Sequence, residues 1–160
     1  MHFSPRRRKG AEIFKRELFL LYSSNVSYHP NMKTREELDH LTGAILDASI
    51  SVHREMGPGL LESVYHTCLE EELYQRNIAV QSMVPIPLIY KGKILDKDYV
   101  IDLLIEEEII IELKSVEGIL PVHKAQLISY LKLANKKLGL LINFNTPLLK
   151  NGFHRFVNKL

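Results

Sequence analysis

Two acidic residues and a lysine interrupt segments that are otherwise apolar and strand-like. Asp102 lies within residues 99–105, and Glu112 and Lys114 lie at the end of residues 109–114. Two converging carboxylates suit a small hard cation such as Mg²⁺, which binds oxygen ligands at about 2.0–2.1 Å and keeps several waters. An ammonium group beside them can orient a metal-bound water and stabilise negative charge that develops on a phosphate.

The spacing of these residues predicts that the two carboxylates face each other across a β-hairpin. If residues 106–108 form the turn, Ile105 pairs with Ile109, and Asp102 then stands opposite Glu112. Opposed residues of an antiparallel pair have Cβ atoms about 4.5–5.5 Å apart, and like charges there destabilise the sheet. A bound cation would turn this repulsion into attraction.

Lys114 follows Glu112 by two residues, so it is expected on the same face of the strand. The alternative is a solvent-facing side of the hairpin, on which Asp102, Glu112 and Lys114 form a surface ion cluster of little energetic weight. Leu104 and Ile110 share that face, which argues against a fully wet surface.

Two helices are predicted before the hairpin. Apolar residues at spacings of three and four predict a helix over residues 35–56, with Thr34 and Glu37 as its start signal and Gly57-Pro58-Gly59 as its end. A second helix is predicted from about Leu60 to Arg76. Its expected buried residues are Leu61, Val64, Cys68, Leu69 and Leu73.

The remaining segments complete an α/β (α+β) pattern. The two prolines of residues 80–90 predict an edge strand. Residues 91–93 are expected to form a turn, residues 125–134 a helix, and the continuous apolar run over residues 138–144 a buried central strand. With hairpin strands over residues 100–105 and 109–113, the order is αα-βββ-α-β, followed by a short polar C-terminus.

Composition and charge restrict the class of protein. The chain has 160 residues, a net charge of +2 and one cysteine, which excludes a disulfide scaffold and a cysteine-rich metal site. No apolar stretch approaches the roughly 18–20 residues of a membrane span, so a cytoplasmic protein without membrane contact is expected. From residue 113 onward eight basic residues stand against one acidic residue, a pattern that suits either a polyanionic partner or a solvated helix face.

The first part of the chain is expected to lie outside the folded domain. Residues 1–31 carry six basic and two acidic residues without a sustained hydrophobic period. They are interpreted as a basic arm that is disordered or lies upstream of the working start, for which Met32 is a candidate. Residues 32–160 are predicted to form a single domain.

The residues of the hairpin resemble the signature of a known superfamily. Asp102, followed after a spacer by Glu112-Leu113-Lys114, is similar to the Asp…Glu-x-Lys motif of the PD-(D/E)XK nuclease superfamily. The residue before Asp102 is Ile101, where the name of the superfamily has proline. The resemblance extends over about residues 35–157.

Two further motifs resemble the same superfamily. Gly59, Glu62 and Tyr65 match the motif for which its GxxExxY family is named, and Gln126 and Tyr130 resemble the Gln-x-x-x-Tyr helix motif of RecB-like nucleases. The three motifs occur in the expected order along the chain.

The resemblance implies a restriction-endonuclease-like core, in which helices flank a central mixed β-sheet of α-β-β-β-α-β order. It implies catalytic roles for Asp102, Glu112, Lys114 and Glu62. The same three carboxylates would be metal ligands, and Lys114 would position the attacking water. Contacts with nucleic acid are expected from Gln126, Tyr130, Lys124 and Lys132.

Several of these residues also have a structural interpretation. Glu62 is an acidic residue in a first helical turn, where the helix dipole favours it without any catalytic role. Tyr65 is expected as a core aromatic that supports the site, and Gly59 as a turn residue. His53, His66 and His123 match no zinc-ligand spacing, although His123 precedes the Gln126 helix and is a candidate phosphate contact.

The sequence therefore predicts a metal-dependent nuclease that hydrolyses phosphodiester bonds of nucleic acid. Mg²⁺ is the expected metal, with Mn²⁺ as a substitute, and DNA is favoured as the substrate, without strong sequence specificity. One alternative is a catalytically inactive nuclease-fold module that binds nucleic acid or a protein partner, and another is a metal-binding regulator. Nothing in the sequence indicates a homo-oligomer.

Overall fold

The computed structural model describes residues 33–158. The predicted arm over residues 1–31, Met32 and residues 159–160 lie outside the described residues, so the division into arm and domain stays a prediction. The described elements are α1 (Arg35–Met56), α2 (Glu62–Gln75), β1 (Val80–Tyr90), β2 (Lys93–Ile105), β3 (Ile109–Lys114), α3 (Pro121–Leu133), β4 (Leu138–Asn143), α4 (Leu149–Gly152) and β5 (Phe153–Val157).

Helix α1 begins and ends where the sequence predicts. Thr34 Oγ1 accepts a hydrogen bond from the Glu37 amide at 3.2 Å, and Glu37 Oε2 accepts one from the Thr34 amide at 2.6 Å. These reciprocal bonds form a capping box. Gly57 ends the helix with a φ of 69°, and its amide donates to the His53 carbonyl.

Helix α2 is shorter than predicted. Of its predicted core residues, Leu61 is exposed, and Val64 and Cys68 are only partly buried. The helix begins at Glu62, and Leu61 is its N-cap with a side chain that is 75% exposed. A residue before the first turn need not follow the apolar stripe of the helix, which explains the error. Leu69 and Leu73 are fully buried as predicted, and Tyr65 joins them in the core.

The five strands form one mixed sheet in the order β1-β2-β3-β4-β5. Strands β3 and β4 are parallel and connected through α3, whereas the other neighbouring strands are antiparallel. The predictions that β1 lies at an edge and that β4 lies inside the sheet are confirmed. Strand β2 is longer than predicted because it also pairs with β1 as a hairpin over a turn at Lys91 and Gly92.

The β2–β3 hairpin has the predicted register. The paired residues are Ile105 with Ile109, Leu104 with Ile110, and Leu103 with Ile111. The pairing ends there, one step before Asp102 and Glu112.

The prediction of a short polar C-terminus is wrong. Residues 149–152 form the short helix α4, and residues 153–157 form β5, which pairs with β4 and makes the second edge of the sheet. Strand β5 contains His154 and Arg155 and has only five residues, so its own hydrophobic period is too weak to predict a strand. Its formation depends on pairing with the buried strand β4.

The core lies on both faces of the sheet. Residues of α1 and α2 form one cluster with Ile109, Ile111 and Leu113, while residues of α3 form another with Ile110. This division follows from the alternation of side chains along β3. Glu112 and Lys114 therefore belong to the face covered by α3. Within residues 33–158, no helix combines the length and apolar character needed to cross a membrane.

Candidate active site

Glu112 and Lys114 form the centre of the site at the end of β3. The Lys114 ammonium lies 2.7 Å from Glu112 Oε1 and also donates to the Leu113 carbonyl at 2.9 Å. Glu112 is almost completely buried, with 2% of its surface exposed. The predicted alternative of a wet surface cluster is therefore wrong for Glu112, because a buried carboxylate and ammonium lie within hydrogen-bonding distance.

Asp102 approaches the same strand through its side chain. Its Oδ2 accepts a hydrogen bond from the Leu113 amide at 2.8 Å. This bond takes the place of a backbone ladder bond beyond the last paired residues. Burial raises the pKa of both Glu112 and Glu62, and the negative charge of Asp102 raises each further.

The turn before α2 is held by Tyr65. The Tyr65 hydroxyl donates to the Gly57 carbonyl at 2.6 Å and accepts from the Leu60 amide at 3.0 Å. Its ring stacks on Phe144 with a centroid distance of 4.5 Å. Gly59 lies between these anchor points with a φ of 93°, a conformation that favours glycine. The turn function predicted for Gly59 and the core position predicted for Tyr65 are both confirmed.

This turn places Glu62 beside the site. Glu62 is the first residue of α2, and its Oε2 lies 3.9 Å from the Lys114 ammonium. A second connection comes from the Ser115 hydroxyl, which donates to the Leu60 carbonyl at 2.6 Å. The turn is therefore joined to the residue that follows β3, and Lys114 lies between two carboxylates from different elements.

Helix α3 contributes an amide and a phenol on one face. Gln126 Nε2 donates to Glu112 Oε1 at 2.8 Å and lies 3.0 Å from the Tyr130 hydroxyl. The predicted common face of Gln126 and Tyr130 is confirmed: Gln126 contacts Glu112 directly, and Tyr130 contacts Gln126. Lys124 and Lys132 are exposed on the same helix.

Burial and neighbouring charges together shift the pKa values of Glu112, Glu62 and Lys114. Burial, reinforced by the charge of Asp102, raises the pKa of Glu112 to about 7, although Lys114 opposes the shift. Burial also raises the pKa of Glu62. For Lys114, burial alone would lower the pKa, but the hydrogen bond and charge of Glu112 outweigh it and the pKa is raised. Lys114 is therefore a charged ammonium at neutral pH.

Glu112 has an oxygen that suits a hard divalent cation. Glu112 Oε2 is buried and makes no hydrogen bond to any residue between 33 and 158. Such an unsatisfied carboxylate oxygen is costly unless a cation or water binds it. Its neighbours supply further carboxylate oxygens, the ligand type that Mg²⁺ prefers. No group of three His, Cys, Asp or Glu side chains arranged to hold a metal occurs in the described part of the chain.

The three histidines considered for zinc lie in separate environments. His53 Nε2 lies 2.8 Å from the Thr146 carbonyl. His66 Nε2 lies 3.1 Å from the Asp102 carbonyl, and His123 Nδ1 accepts from the Leu120 amide. His66 and His123 both interact electrostatically with Glu62, so these two histidines lie near the site.

Two contributors to the site were not predicted from the sequence. His66 is four residues after Glu62, a helical spacing that could have indicated it. Asn143 pairs with Lys114 across β3 and β4, and its side chain accepts from the Val116 amide at 3.0 Å and donates to the Val116 carbonyl at 2.8 Å. An asparagine at the end of an apolar run gives no signal of this partner.

Comparison with protein-family models gave a match over most of the chain. A family model described as the PD-(D/E)XK nuclease superfamily matches residues 39–156. Curated proteins gave no significant match. Among solved structures, the chain is similar to the crystal structure of SSO0001, with a TM-score of 0.44 and 19% sequence identity over 91% of this chain and 75% of that chain.

Proposed function

The chain belongs to the PD-(D/E)XK nuclease superfamily, and on this premise we propose that it is a metal-dependent nuclease that hydrolyses phosphodiester bonds of nucleic acid. The observation that carries the proposal is the environment of Glu112. Its buried carboxylate is held through Oε1 by Lys114 and Gln126, while Oε2 has no hydrogen-bond partner among residues 33–158. A carboxylate with one oxygen fixed and the other free is suited to bind a cation.

Glu112 would bind Mg²⁺, or Mn²⁺ in its place, through its free oxygen. Asp102 and Glu62 would join as ligands by moving toward the ion, since residues 33–158 contain no preformed group of three ligands. When bound, the metal would lower the pKa of a water and neutralise charge on the scissile phosphate. The carboxylates of Glu112 and Glu62 are disfavoured as anions in the metal-free site, since both pKa values are raised. Metal binding would therefore release a proton from Glu112 near neutral pH.

The remaining side chains orient the reacting groups. Lys114 supplies a fixed positive charge, which can orient the attacking water and stabilise the negative transition state. Gln126 donates to Glu112 and so limits the rotation of that carboxylate. Burial, together with the charges of Glu112 and Asp102, raises the pKa of Tyr130, so its hydroxyl stays neutral and can contact a phosphate oxygen.

We further propose that the protein is a member of the GxxExxY family and that DNA is its substrate in the cytoplasm. The turn at Gly59, the approach of Glu62 to Lys114 and the bonds of Tyr65 give each motif residue a separate function, which supports the family assignment. Lys124 and Lys132 are exposed on the helix that carries Gln126, and they would hold the phosphate backbone without reading bases.

The direct test is cleavage of labelled single- and double-stranded DNA and RNA by the purified protein with Mg²⁺, Mn²⁺ or EDTA. Asp102→Asn and Lys114→Ala are compared with Asp96→Asn, which changes an exposed carboxylate of the same strand β2. We expect metal-dependent cleavage that falls by roughly 10²–10³-fold in Asp102→Asn and Lys114→Ala. Asp96→Asn should cleave like the wild type.

Equal cleavage by all variants would indicate a contaminating nuclease and contradict the proposal. Binding without cleavage of any substrate would favour the non-catalytic module that binds nucleic acid. Metal binding that nucleic acid does not influence would favour a metal-binding regulator.

A further inference from the structure

Asp102 occupies a break in the sheet. Pairing between β1 and β2 includes Ser82 with Leu103 and Val84 with Ile101, but it omits Met83 and Asp102 between them. Met83 has a φ of 53°, which is unusual for a residue within a strand. On the other side of β2, pairing with β3 ends at Leu103. The backbone at Asp102 therefore lacks strand partners on both sides.

The hydrophobic pattern of β2 changes at the same point. Leu103 and Ile105 pack in the cluster of α1 and α2, whereas Ile101 packs in the cluster of α3. Residues of one parity in a regular strand would stay on one face. The strand is therefore twisted out of its regular alternation at Asp102, and a carboxylate attached there needs other contacts to fix its direction.

A histidine from α2 supplies such a contact. His66 Nε2 lies 3.1 Å from the Asp102 carbonyl oxygen and 3.3 Å from Ser82 Oγ. The carbonyl can only accept, so this contact is a hydrogen bond in the tautomer whose Nε2 carries the proton. The His66 side chain is only 16% exposed, and its Nδ1 lies 4.0 Å from Glu70 Oε2, one helical turn farther along α2.

We propose that His66 is a positioning residue for Asp102. Its imidazole holds the main chain of β2 at the break in the ladder, while the Leu113 amide holds the Asp102 side chain from the opposite strand. One bond comes from α2 and the other from β3, and together they orient the Asp102 carboxylate toward Glu112. This inference rests on the proposed function only for its catalytic consequence, because the bond itself exists without metal or substrate.

The role of His66 also couples two parts of the site. His66 and Glu62 are four residues apart and lie on the same side of α2. A single helix therefore presents Glu62 to Lys114 and fixes the backbone of Asp102. A shift of α2 would displace both Glu62 and Asp102, and a displacement of catalytic groups by about 1 Å lowers the reaction rate measurably.

The test compares His66→Ala with His66→Gln, whose carboxamide N–H can replace the donor. His53→Ala is the matched control, because His53 also lies against a main-chain carbonyl, that of Thr146. Three quantities are measured in each variant: hydrogen exchange of the Leu113 amide without metal, Mn²⁺ affinity from the free-ion electron paramagnetic resonance signal, and kcat and KM for nucleic acid cleavage. Thermal melting shows that each variant is folded.

We expect His66→Ala to accelerate exchange of the Leu113 amide, to weaken Mn²⁺ binding by about 10–100-fold and to lower kcat more than it changes KM. His66→Gln should restore most of each quantity, and His53→Ala should alter only the melting temperature. Unchanged exchange and Mn²⁺ affinity in His66→Ala would overturn the inference. If the wild type neither binds Mn²⁺ nor cleaves, the nuclease proposal fails, while a His66-dependent exchange rate of Leu113 would still support the positioning of Asp102.

Discussion

At Glu112, burial and the charge of Asp102 act together against the carboxylate anion, whereas Lys114 favours it. Its side chain is buried on the face covered by α3, next to the charge of Asp102, and only Lys114 and Gln126 stabilise it. Burial of a carboxylate is costly and the charge of Asp102 adds to this cost, so the site favours the protonated form up to neutral pH despite Lys114. A bound cation would stabilise the ionised form of Glu112 and so remove this destabilisation.

This conflict predicts a pH dependence of stability in the metal-free protein. The Glu112 pKa is about 7 in the folded state against 4.5 in a model carboxyl group, so between these values only the folded state keeps the proton. Stability should therefore fall as pH rises from 5 to 8. We expect the wild type to lose about 2–3 kcal/mol more than Glu112→Gln over this interval, measured by urea unfolding in EDTA. Identical pH profiles for the two proteins would contradict the prediction.

At the scale of elements, helix α2 contributes three residues that hold or form part of the site. Glu62 lies in its first turn beside Lys114, Tyr65 fastens the preceding turn, and His66 reaches β2. These three residues fall within five positions of the chain, so a rotation or shift of α2 would displace all of their contacts together. The anchor of α2 is the turn at Gly57.

Loss of the Tyr65 hydroxyl should loosen this anchor. Tyr65→Phe removes one hydrogen bond to the Gly57 carbonyl and one from the Leu60 amide, while the ring can still stack on Phe144. We expect a loss of about 1–3 kcal/mol of stability, measured by chemical unfolding. Tyr74→Phe is the control, because Tyr74 lies in the same helix with 76% of its surface exposed. Equal stability of both variants would show that these bonds do not hold the turn.

The contact between α4 and β4 should tolerate no added side chain. A Cβ atom at Gly152 would lie 2.2 Å from the Asn143 carbonyl oxygen, a backbone atom that cannot move alone. We expect Gly152→Ala to cost about 3 kcal/mol or more, at the upper end for overpacked sites. Gly43→Ala, in α1 with open space around it, should instead add about 0.5–1 kcal/mol. Thermal or urea unfolding distinguishes the two, and a destabilised Gly43→Ala would refute the explanation.

At the scale of the whole molecule, charge is unevenly distributed along the sequence. From residue 113 onward the chain carries eight basic residues and one acidic residue, although its total net charge is only +2. Helix α3 belongs to this basic part and also supplies Gln126 to the site. A polyanion bound along α3 would therefore meet basic side chains next to the buried carboxylate of Glu112.

This distribution predicts a salt-dependent contribution of α3 to nucleic acid binding. In an Asp102→Asn background, which prevents cleavage, the double change Lys124→Ala/Lys132→Ala should reduce the slope of log affinity against log salt by about 2 for duplex DNA. Lys91→Ala/Lys93→Ala is the control, since the β1–β2 turn is about 30 Å from Asp102 along β2 at the usual strand rise. Fluorescence anisotropy at several salt concentrations measures the slopes, and equal slopes would contradict the prediction.

Much of the fold could be predicted because its signals are local. The capping box at Thr34 and Glu37, the glycines after α1, the prolines of β1 and the apolar run of β4 each depend on residues close together in sequence. The register of the β2–β3 hairpin was predictable for the same reason, since a three-residue turn determines which residues face each other. These local features alone predict that Asp102, Glu112 and Lys114 lie close together.

The sequence by itself thus determined most of the elements, the β2–β3 hairpin and the residues that carry the superfamily signature. Only the tertiary structure decided that β5 forms on β4, that Gln126 and Lys114 share one oxygen of Glu112, and that His66 meets Asp102 at a break in the ladder. These contacts join residues of different elements, and their geometry depends on helix packing and strand twist. Periodicity specifies which face a side chain takes, whereas packing of the whole domain specifies what it meets there.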